Sequence, residues 1–198
     1  YKIYGITGAS YGNLSAREVI PGFGNTTFCM TARGVSKSAL REIGRDILLV
    51  KGFDEESGTA FISNGPGADP RARVSVDAIE HYMIYHAFPI VGAIVHVHAW
   101  MDNVLCTRQN YPCGTRELAQ EVVELIRKTE DPSRAVVGLK NHGLTITGHR
   151  LADIFGRIRG KHCVTASNIA KYDGFHGLVI FDNPNPLSFD REQVHDYL

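Results

Sequence analysis

The stretch SVDAIEHYMIYHAFPIVGAIVHVHA, residues Ser75 to Ala99, contains the two patterns on which the fold and the chemistry of this chain depend. Its first half repeats apolar residues at helical spacing, and Phe88-Pro89 then ends the predicted helix. Its second half, Gly92 to His98, is predicted to be a strand. Alternate side chains of a strand point to the same face, so the imidazoles of His96 and His98 should project together.

The same alternation of helical and strand periods continues on both sides of this stretch. Further strands are predicted at Asn25 to Met30, Asp46 to Gly52, Ala135 to Leu139 and Leu144 to Thr147, and further helices at Ser38 to Ile43, Arg116 to Lys128 and Leu151 to Tyr172. Elements in this order predict an α/β fold with three layers around one central sheet. We expect a single domain over residues 1–198, with a loop-rich tail from 181 to 198.

Composition excludes several classes of protein. The 198 residues include 21 basic and 21 acidic side chains, so the chain lacks the basic excess that nucleic-acid-binding proteins usually carry. A hydrophobic fraction of 43% is too high for a disordered chain. No apolar run approaches the ~20 residues that a membrane-spanning helix needs. The four cysteines form no C-x-x-C pair, which favours reduced thiols in a cytoplasmic protein.

The two strand histidines could hold one metal ion, or they could be hydrogen-bonded to neighbours with no metal. A catalytic zinc site needs a third protein ligand and an open position. His162 is a candidate because its helix should turn it inward, whereas a structural role is at least as plausible for His142 in the N-H-G turn. Asp77 could ligate the ion or act as a general base. Equally, Asp77 could complement the helix dipole, with Ser75 as the N-cap.

Three glycine- and hydroxyl-rich segments have the composition of anion-binding loops. They are GASYGNLSAR at Gly8 to Arg17, TARGVSKSAL at Thr31 to Leu40 and SNGPGADPRARVS at Ser63 to Ser75. Small residues let the backbone approach a ligand closely, and exposed N–H groups at a helix start favour phosphate or carboxylate. Each segment is a weak signal alone, but their combination with a metal site favours an anionic substrate.

Together these pieces resemble the class II aldolase and adducin-head family, over most of the chain. GNLSAR resembles that family's G-N-x-S-x-R loop, and TARGVSK resembles its T-x-x-G-V segment. The stretch from Ser75 to Ala99 resembles its core of an acidic residue, a histidine one turn later and the H-x-H strand. KNHGLTITG resembles its H-G strand turn, and LADIFGRIRGKH resembles the helix that brings the third histidine.

The resemblance implies an α/β/α sandwich around a mainly antiparallel sheet, and a zinc site made by His96, His98 and His162. Manganese or cobalt are alternative ions. It also implies a homotetramer with active sites between subunits, and an N-terminal helix that is largely missing from this sequence. The residues implied near the substrate's phosphate or equivalent anion are Asn13, Arg33, Gly34 and Ser75. Arg33 and Arg116 could bind a carboxylate instead of, or as well as, a phosphate, so the expected substrate is a sugar phosphate or a hydroxy or keto acid. His81 and His142 are implied to support the site.

The activity that the resemblance implies is a zinc-dependent, aldolase-type cleavage of a small hydroxy-carbonyl compound through a metal-stabilised enediolate. Asp77 takes the position of the catalytic acid/base, which is usually Glu in the aldolases. The implied general acid is a tyrosine, and Tyr11, Tyr172 and Tyr197 are the candidates. The alternatives are an epimerase, a dehydratase or a decarboxylase using the same metal enolate, and a non-catalytic oligomerisation module like the adducin head.

Overall fold

The computed structural model describes residues 12–22, 26–37, 39–54, 56–63, 68–101, 103–140, 142–159 and 163–164. Its strands are β1 (Asn13–Arg17), β2 (Phe28–Thr31), β3 (Ile47–Asp54), β4 (Thr59–Ser63), β5 (Ala93–Val97), β6 (Trp100–Met101), β7 (Leu105–Cys106), β8 (Val136–Leu139), β9 (Gly143–Gly148) and β10 (Cys163–Val164). Its helices are α1 (Ala78–Ala87), α2 (Arg116–Arg127) and α3 (Leu151–Ile158), with a 3-10 turn at Pro132–Arg134. No helix among these residues is long and apolar enough to cross a membrane.

Eight of the strands form one sheet in the order β4-β3-β2-β1-β5-β9-β8-β7. Every neighbouring pair in this sheet is antiparallel except β7 and β8, which are parallel. The mainly antiparallel sheet is therefore confirmed. The histidine strand β5 lies near the middle, between β1 and β9, and strands β6 and β10 form a separate two-stranded ribbon.

Helices cover both faces of the sheet, which confirms the three layers. On one face α1 and α2 pack against each other and over a core that includes Phe28, Ile84 and Ile126. On the other face α3 packs on β5 and β9 through Ile154 and Ile158. The strand residues alternate between these two cores, as the pleat of a strand requires.

Two predicted helices and one predicted loop differ from the structure. Residues 39–43 form a bend, irregular backbone and an isolated bridge from Ile43 to Ile47 instead of the helix expected from Ser38 to Ile43, and Ser38 itself lies outside the described residues. Helix α3 ends at Ile158, so a helix continuing to Tyr172 is wrong at Cys163–Val164, which pair with β6. The end of the predicted glycine loop, Asn13–Arg17, is strand β1.

The last residue of β1, Arg17, anchors the far end of α1. Its guanidinium donates hydrogen bonds to the backbone carbonyls of Tyr85 at 2.7 Å, Phe88 at 3.2 Å and Val91 at 2.9 Å. A cation beside the last carbonyls of a helix satisfies groups that have no partner within the helix and complements the helix dipole. Arg17 therefore has a structural role, because its hydrogen bonds fix the end of α1 against the sheet.

Candidate metal and catalytic site

The site lies where α1 begins, above a row of polar side chains that crosses the centre of the sheet. The antiparallel registers place Asn13 of β1 opposite His96 of β5, and His96 opposite Thr145 of β9. Directly opposed residues point to the same face of a sheet. This face is covered by α1, because Asn13 bonds to Asp77 and Thr145 bonds to Glu80.

Three histidines converge at the end of this row. His96, His98 and His142 are 1%, 7% and 1% exposed, and each offers a ring nitrogen within 4.8 Å of the others. The Nε2 atoms of His98 and His142 are 3.2 Å apart. The turn before β9 brings His142 here, because β9 pairs with the histidine strand β5. The prediction that His96 and His98 project together is confirmed, since their ring centroids lie 5.0 Å apart.

His96 is oriented as a metal ligand is. Its Nδ1 lies 3.1 Å from the carbonyl oxygen of Leu144, which accepts a hydrogen bond when Nδ1 carries the proton. That bond leaves the lone pair on Nε2, and within the described part of the chain no hydrogen bond reaches this buried atom. A backbone carbonyl that fixes the tautomer of a histidine is the usual outer partner of a metal-bound imidazole.

Burial keeps all three imidazoles in the neutral form that binds metals. It lowers the pKa of His142 to about 3 and lowers the pKa of His96 and His98 as well. The mutual proximity of these rings lowers the pKa of His98 and His142 further. Neutral imidazole is the commonest metal ligand in proteins, so the cluster has the protonation state that a divalent ion requires.

Asp77 is the carboxylate of the site. It occupies the N-cap position of α1, but its side chain caps no helix N–H. Instead Oδ2 accepts hydrogen bonds from Asn13 Nδ2 at 2.6 Å and Ser75 Oγ at 3.0 Å, and lies 4.0 Å from His96 Nε2. Burial by itself would raise the pKa of Asp77, but the neighbouring histidines and the Ser75 hydrogen bond hold that pKa below its ordinary value. Asp77 is therefore an ionised, buried carboxylate.

Two further side chains of α1 connect the helix to the sheet. The hydroxyl of Thr145 donates to Glu80 Oε1 at 2.6 Å, and burial raises the pKa of Glu80 to about 8. His81 Nδ1 lies 2.7 Å from Ser15 Oγ, which also contacts the Tyr85 hydroxyl at 2.8 Å. These contacts give His81 a supporting place behind the site.

The residues expected near a substrate anion fall into two groups, those that bond to Asp77 in the site and those that are exposed at the surface. Asn13 and Ser75 lie in the site through their bonds to Asp77. Arg33 and Gly34 are exposed in the turn after β2, which the Arg33 N–H joins to the carbonyl of Arg73 at 2.7 Å. Arg116 is exposed at the first position of α2.

Sequence reasoning missed two groups that interact with the histidines, one through its charge and one by direct contact. Lys37 is half-buried, and its charge contributes to the lowered pKa of His96 and His98 after the larger effect of burial. The Sγ of Cys113 lies 3.3 Å from His142 Nε2. Lys37 belongs to TARGVSK, a segment already predicted to bind anions, so the sequence offered a signal for its role in the site. No local sequence pattern indicates that Cys113 lies in the site. His162 lies outside the described residues.

The residues present fit a divalent metal. Three buried imidazoles with a carboxylate beside them form a nitrogen-rich set of the kind that catalytic zinc sites use. The buried Nε2 of His96, without a hydrogen bond in the described residues, is a donor atom for which an ion would supply the missing partner.

Comparisons with known proteins agree with this architecture. A model of the Class II Aldolase and Adducin N-terminal domain family matches residues 2–109. Methylthioribulose-1-phosphate dehydratase from Leptospira biflexa is 29% identical over 138 residues, which are 68% of this chain and 60% of that protein. The match therefore spans less than two thirds of that relative's length.

Solved structures share the fold. An L-fuculose 1-phosphate aldolase has a TM-score of 0.56, 18% identity, and coverage of 96% of this chain and 85% of its own. YgbL from Escherichia coli, described as a candidate aldolase, epimerase or decarboxylase, has a TM-score of 0.52 and 18% identity over 82% of this chain and 87% of its own. At these identities the likeness establishes the fold.

Proposed function

Because the chain belongs to the Class II Aldolase and Adducin N-terminal domain family, we propose that it is a metal-dependent lyase of the aldolase type. Its substrate is a small, phosphorylated hydroxy-carbonyl compound. The observation that carries the proposal is the position of the Asp77 carboxylate. Asn13 and Ser75 hold it 4.0 Å from Nε2 of His96, and two more buried histidines lie beside His96.

The metal ligands in this proposal are His96, His98 and His142, and the ion is zinc, with manganese or cobalt as alternatives. When bound, such an ion supplies Lewis-acid stabilisation of the negative charge that develops on a carbonyl oxygen. The family resemblance favours His162 for the third position instead. Metal content of His142→Ala and His162→Ala variants decides between them, because only the loss of a true ligand should empty the site.

Asp77 is the proposed proton-transfer group. In a carbon–carbon cleavage one fragment leaves as an aldehyde, and the other takes up a proton at the reacting carbon. A buried carboxylate oriented by two hydrogen bonds can give and accept that proton at a fixed point. Asn13 and Ser75 act as positioning residues, because they hold Oδ2 of Asp77 toward His96.

The anionic end of the substrate is proposed to lie toward Lys37, with Arg33 and Arg116 at the exposed margin. Among the described residues, Lys37 is the basic residue whose charge lowers the pKa of both His96 and His98, so it suits a phosphate bound near the reacting carbons. Arginine and lysine both bind phosphate, arginine in a two-pronged geometry and lysine as a point charge.

Dehydration is the second candidate reaction. It is favoured by the 29% identity to a methylthioribulose-1-phosphate dehydratase and by the aspartate at position 77, where the aldolases usually have glutamate. In that reaction Asp77 removes a proton from one carbon while hydroxide leaves the neighbouring carbon. Incubation with ketose phosphates and product analysis separates the two, because an aldolase releases a triose phosphate and an aldehyde, and a dehydratase releases water from an intact carbon chain.

Metal analysis tests the proposed function most directly. The purified chain should contain about one divalent ion, and both chelation and His96→Ala should abolish turnover. His149→Ala is the matched control, because His149 is an exposed histidine that contacts Ser133 and the Ile90 carbonyl instead of the cluster. A metal content under about 0.2 per chain would favour a non-catalytic module, since a three-histidine zinc site normally retains its ion.

We further propose a homotetramer in the cytoplasm, with active sites between subunits. This proposal rests on the family resemblance. Light scattering on the purified protein tests it, since a monomer or dimer of the active protein would contradict a tetramer.

A further inference from the structure

A second carboxyl group lies beneath the first turn of α1, one turn after Asp77. Glu80 is 2% exposed and has no part in the proton transfer proposed for Asp77. Its Oε1 accepts a hydrogen bond from the hydroxyl of Thr145 at 2.6 Å, and Thr145 is fully buried in β9. Two apolar side chains of similar shape would fill this place at no greater cost in stability than a buried polar pair. We therefore expect Glu80 to do more than fill the core.

The hydrogen bond of Glu80 lies on the opposite side of His96 from that of Asp77. The strand registers place His96 between Asn13 of β1 and Thr145 of β9, and directly opposed residues point to the same face. Asp77 is bonded to Asn13 at 2.6 Å, and Glu80 is bonded to Thr145 at 2.6 Å. The start of α1 is therefore attached to the sheet on both sides of the strand that carries the histidine pair.

The other polar attachments of α1 all lie on one side of that strand. Within the described part of the chain, hydrogen bonds between the helix or its N-cap and the sheet otherwise reach β1, at Asn13, Ser15 and Arg17. Attachments along a single strand would let the helix rock about that strand, within the limits set by its packing on α2. Because apolar packing is non-directional, the bond between Glu80 and Thr145 supplies a directional contact that opposes this rocking.

Rocking of α1 would change a separation on which the proposed chemistry depends. Oδ2 of Asp77 lies 4.0 Å from Nε2 of His96, and Asp77 is the N-cap of α1, so its carboxylate moves with the helix. A displacement of about 1 Å in a catalytic group can lower a rate by about 10²-fold. A bond three residues further along the helix can therefore control how well Asp77 works.

We propose that Glu80 is a positioning residue, which sets the distance between the Asp77 carboxylate and His96 through its bond to Thr145. The inference rests on the proposed role of Asp77 in proton transfer. Glu80 gives and takes no proton in this role, because the Thr145 hydroxyl is the donor and the carboxyl oxygen accepts. A glutamine would offer the same kind of acceptor oxygen, whereas a leucine would offer none.

Variants at both ends of the bond test the inference. Glu80→Leu and Thr145→Val should each lower kcat by about 10- to 100-fold for a ketose phosphate that the wild type turns over, with KM and metal content little changed. Glu80→Gln should keep most of the wild-type kcat, because it keeps the acceptor. Thr147→Val is the matched control, since this equally buried threonine of β9 directs its hydroxyl to the backbone of Pro132 and Ala135.

Combination with Asp77→Asn separates positioning from a general loss of stability. If Glu80 acts through Asp77, Glu80→Leu should lower kcat in the wild-type background and leave it unchanged in the Asp77→Asn background. A destabilised fold would lower kcat in both. Crystal structures of the wild type and Thr145→Val give a measurement that needs no turnover, because the 4.0 Å separation of Asp77 and His96 should increase in the variant.

The outcomes separate the inference from the proposed function. Wild-type kcat in Thr145→Val, an unchanged separation of Asp77 and His96, or an equal loss of kcat in the Asp77→Asn background would overturn the positioning role and leave the proposed function intact. The same holds if Glu80→Gln loses as much kcat as Glu80→Leu, because the bond would then not be the cause. Unchanged kcat in Asp77→Asn alone would contradict the proposed function itself. Should Glu80→Leu fail to fold, Thr145→Val supplies the same comparison with almost no change in side-chain size.

Discussion

At the scale of single residues, Asp77 has more than a helix-capping role. A carboxylate at the start of a helix is favoured by the helix dipole whatever its other contacts. Here, however, the side chain bonds to no helix N–H, and Oδ2 is directed toward His96 by Asn13 and Ser75. The helix dipole and the two hydrogen bonds act together, so that the Asp77 carboxylate stays ionised although it is buried.

Asp77→Asn should reduce kcat by about 10²- to 10⁴-fold, the usual contribution of a positioned acid or base. The substitution keeps the size of the side chain and its oxygen acceptor, so the fold and KM should change little. Steady-state kinetics and a thermal melt measure both. Asp153→Asn is the control, because Asp153 lies in the first turn of α3 and pairs with the exposed Arg150. Unchanged kcat in Asp77→Asn would contradict the assignment.

Lys37→Met should raise KM for a phosphorylated substrate by about 10- to 100-fold, since hydrogen bonds to charged groups contribute about 1.5–3 kcal/mol. Because Lys37 acts in binding, kcat should change less than KM. Lys51→Met, on β3, is the control. The same substitution at Arg33 should have a smaller effect, because Arg33 is exposed. An equal KM for Lys37→Met and wild type would contradict the proposal that Lys37 binds the substrate phosphate.

At the scale of elements, α1 carries two buried carboxyl groups one turn apart whose pKa values shift in opposite directions. The pKa of Asp77 is lowered, whereas burial and the charge of Asp77 raise the pKa of Glu80 to about 8. At neutral pH Glu80 is therefore mostly a neutral acid, and the hydrogen bond that it accepts from Thr145 fixes the first turn of α1 to strand β9. The Thr145 hydroxyl is the donor in this bond, so the bond itself does not require the proton of Glu80.

Stability should fall with rising pH because of Glu80. Its pKa is higher in the folded state than in the unfolded chain, so the folded state binds more protons between about pH 4.5 and pH 8. The contribution is fully present below pH 4.5, is lost as pH rises to about 8 and changes little beyond. Urea unfolding of wild type and Glu80→Gln from pH 5 to 9 measures it. The variant should show a flatter profile, and Glu117→Gln, exposed on α2, should not. Parallel profiles for Glu80→Gln and wild type would contradict this account.

Periodicity predicted the elements that depend on one strong pattern, namely α1, α2, β5 and β9. The helix expected at Ser38 to Ile43 does not form, because Asp46 accepts hydrogen bonds from the N–H groups of Arg41 and Glu42. Such local bonds compete with helix formation. Strand β1 was missed because its inward positions, Asn13 and Ser15, are polar residues that serve the site, so no apolar alternation marks the strand.

At the scale of the whole molecule, the two faces of the sheet have different roles. The face toward α1 and α2 holds the larger core and the site, whereas the face toward α3 holds a smaller, mainly aliphatic core. The sequence predicted this three-layer plan. It did not predict that His142 and Cys113 meet beside the strand histidines, or that the charge of Lys37 acts on them. Cys113 and His142 are 29 residues apart in the sequence, Lys37 precedes His96 by 59 residues, and only strand pairing and packing bring these groups together.

Ile154→Ala should lower the free energy of unfolding by about 2–5 kcal/mol, as expected for truncation of a fully buried aliphatic side chain. Because Ile154 packs on the face opposite the histidines, the folded variant loaded with Co²⁺ should have the same visible absorption spectrum as the Co²⁺-loaded wild type. Urea unfolding and absorption spectra check the two parts. Ala152→Ser, exposed on the same helix, should stay within about 0.5 kcal/mol. An altered cobalt spectrum in Ile154→Ala would show that the two faces are not independent.

Arg17 extends the functional part of the molecule well beyond the atoms that contact a substrate. Its guanidinium is bound to the last carbonyls of α1, and Asp77 stands at the first turn of the same helix. A ten-residue helix is about 15 Å long, so a change in how it is seated at one end tilts the carboxylate at the other. In mutational surveys Arg17 should therefore score with the active-site residues, although it is remote from the chemistry.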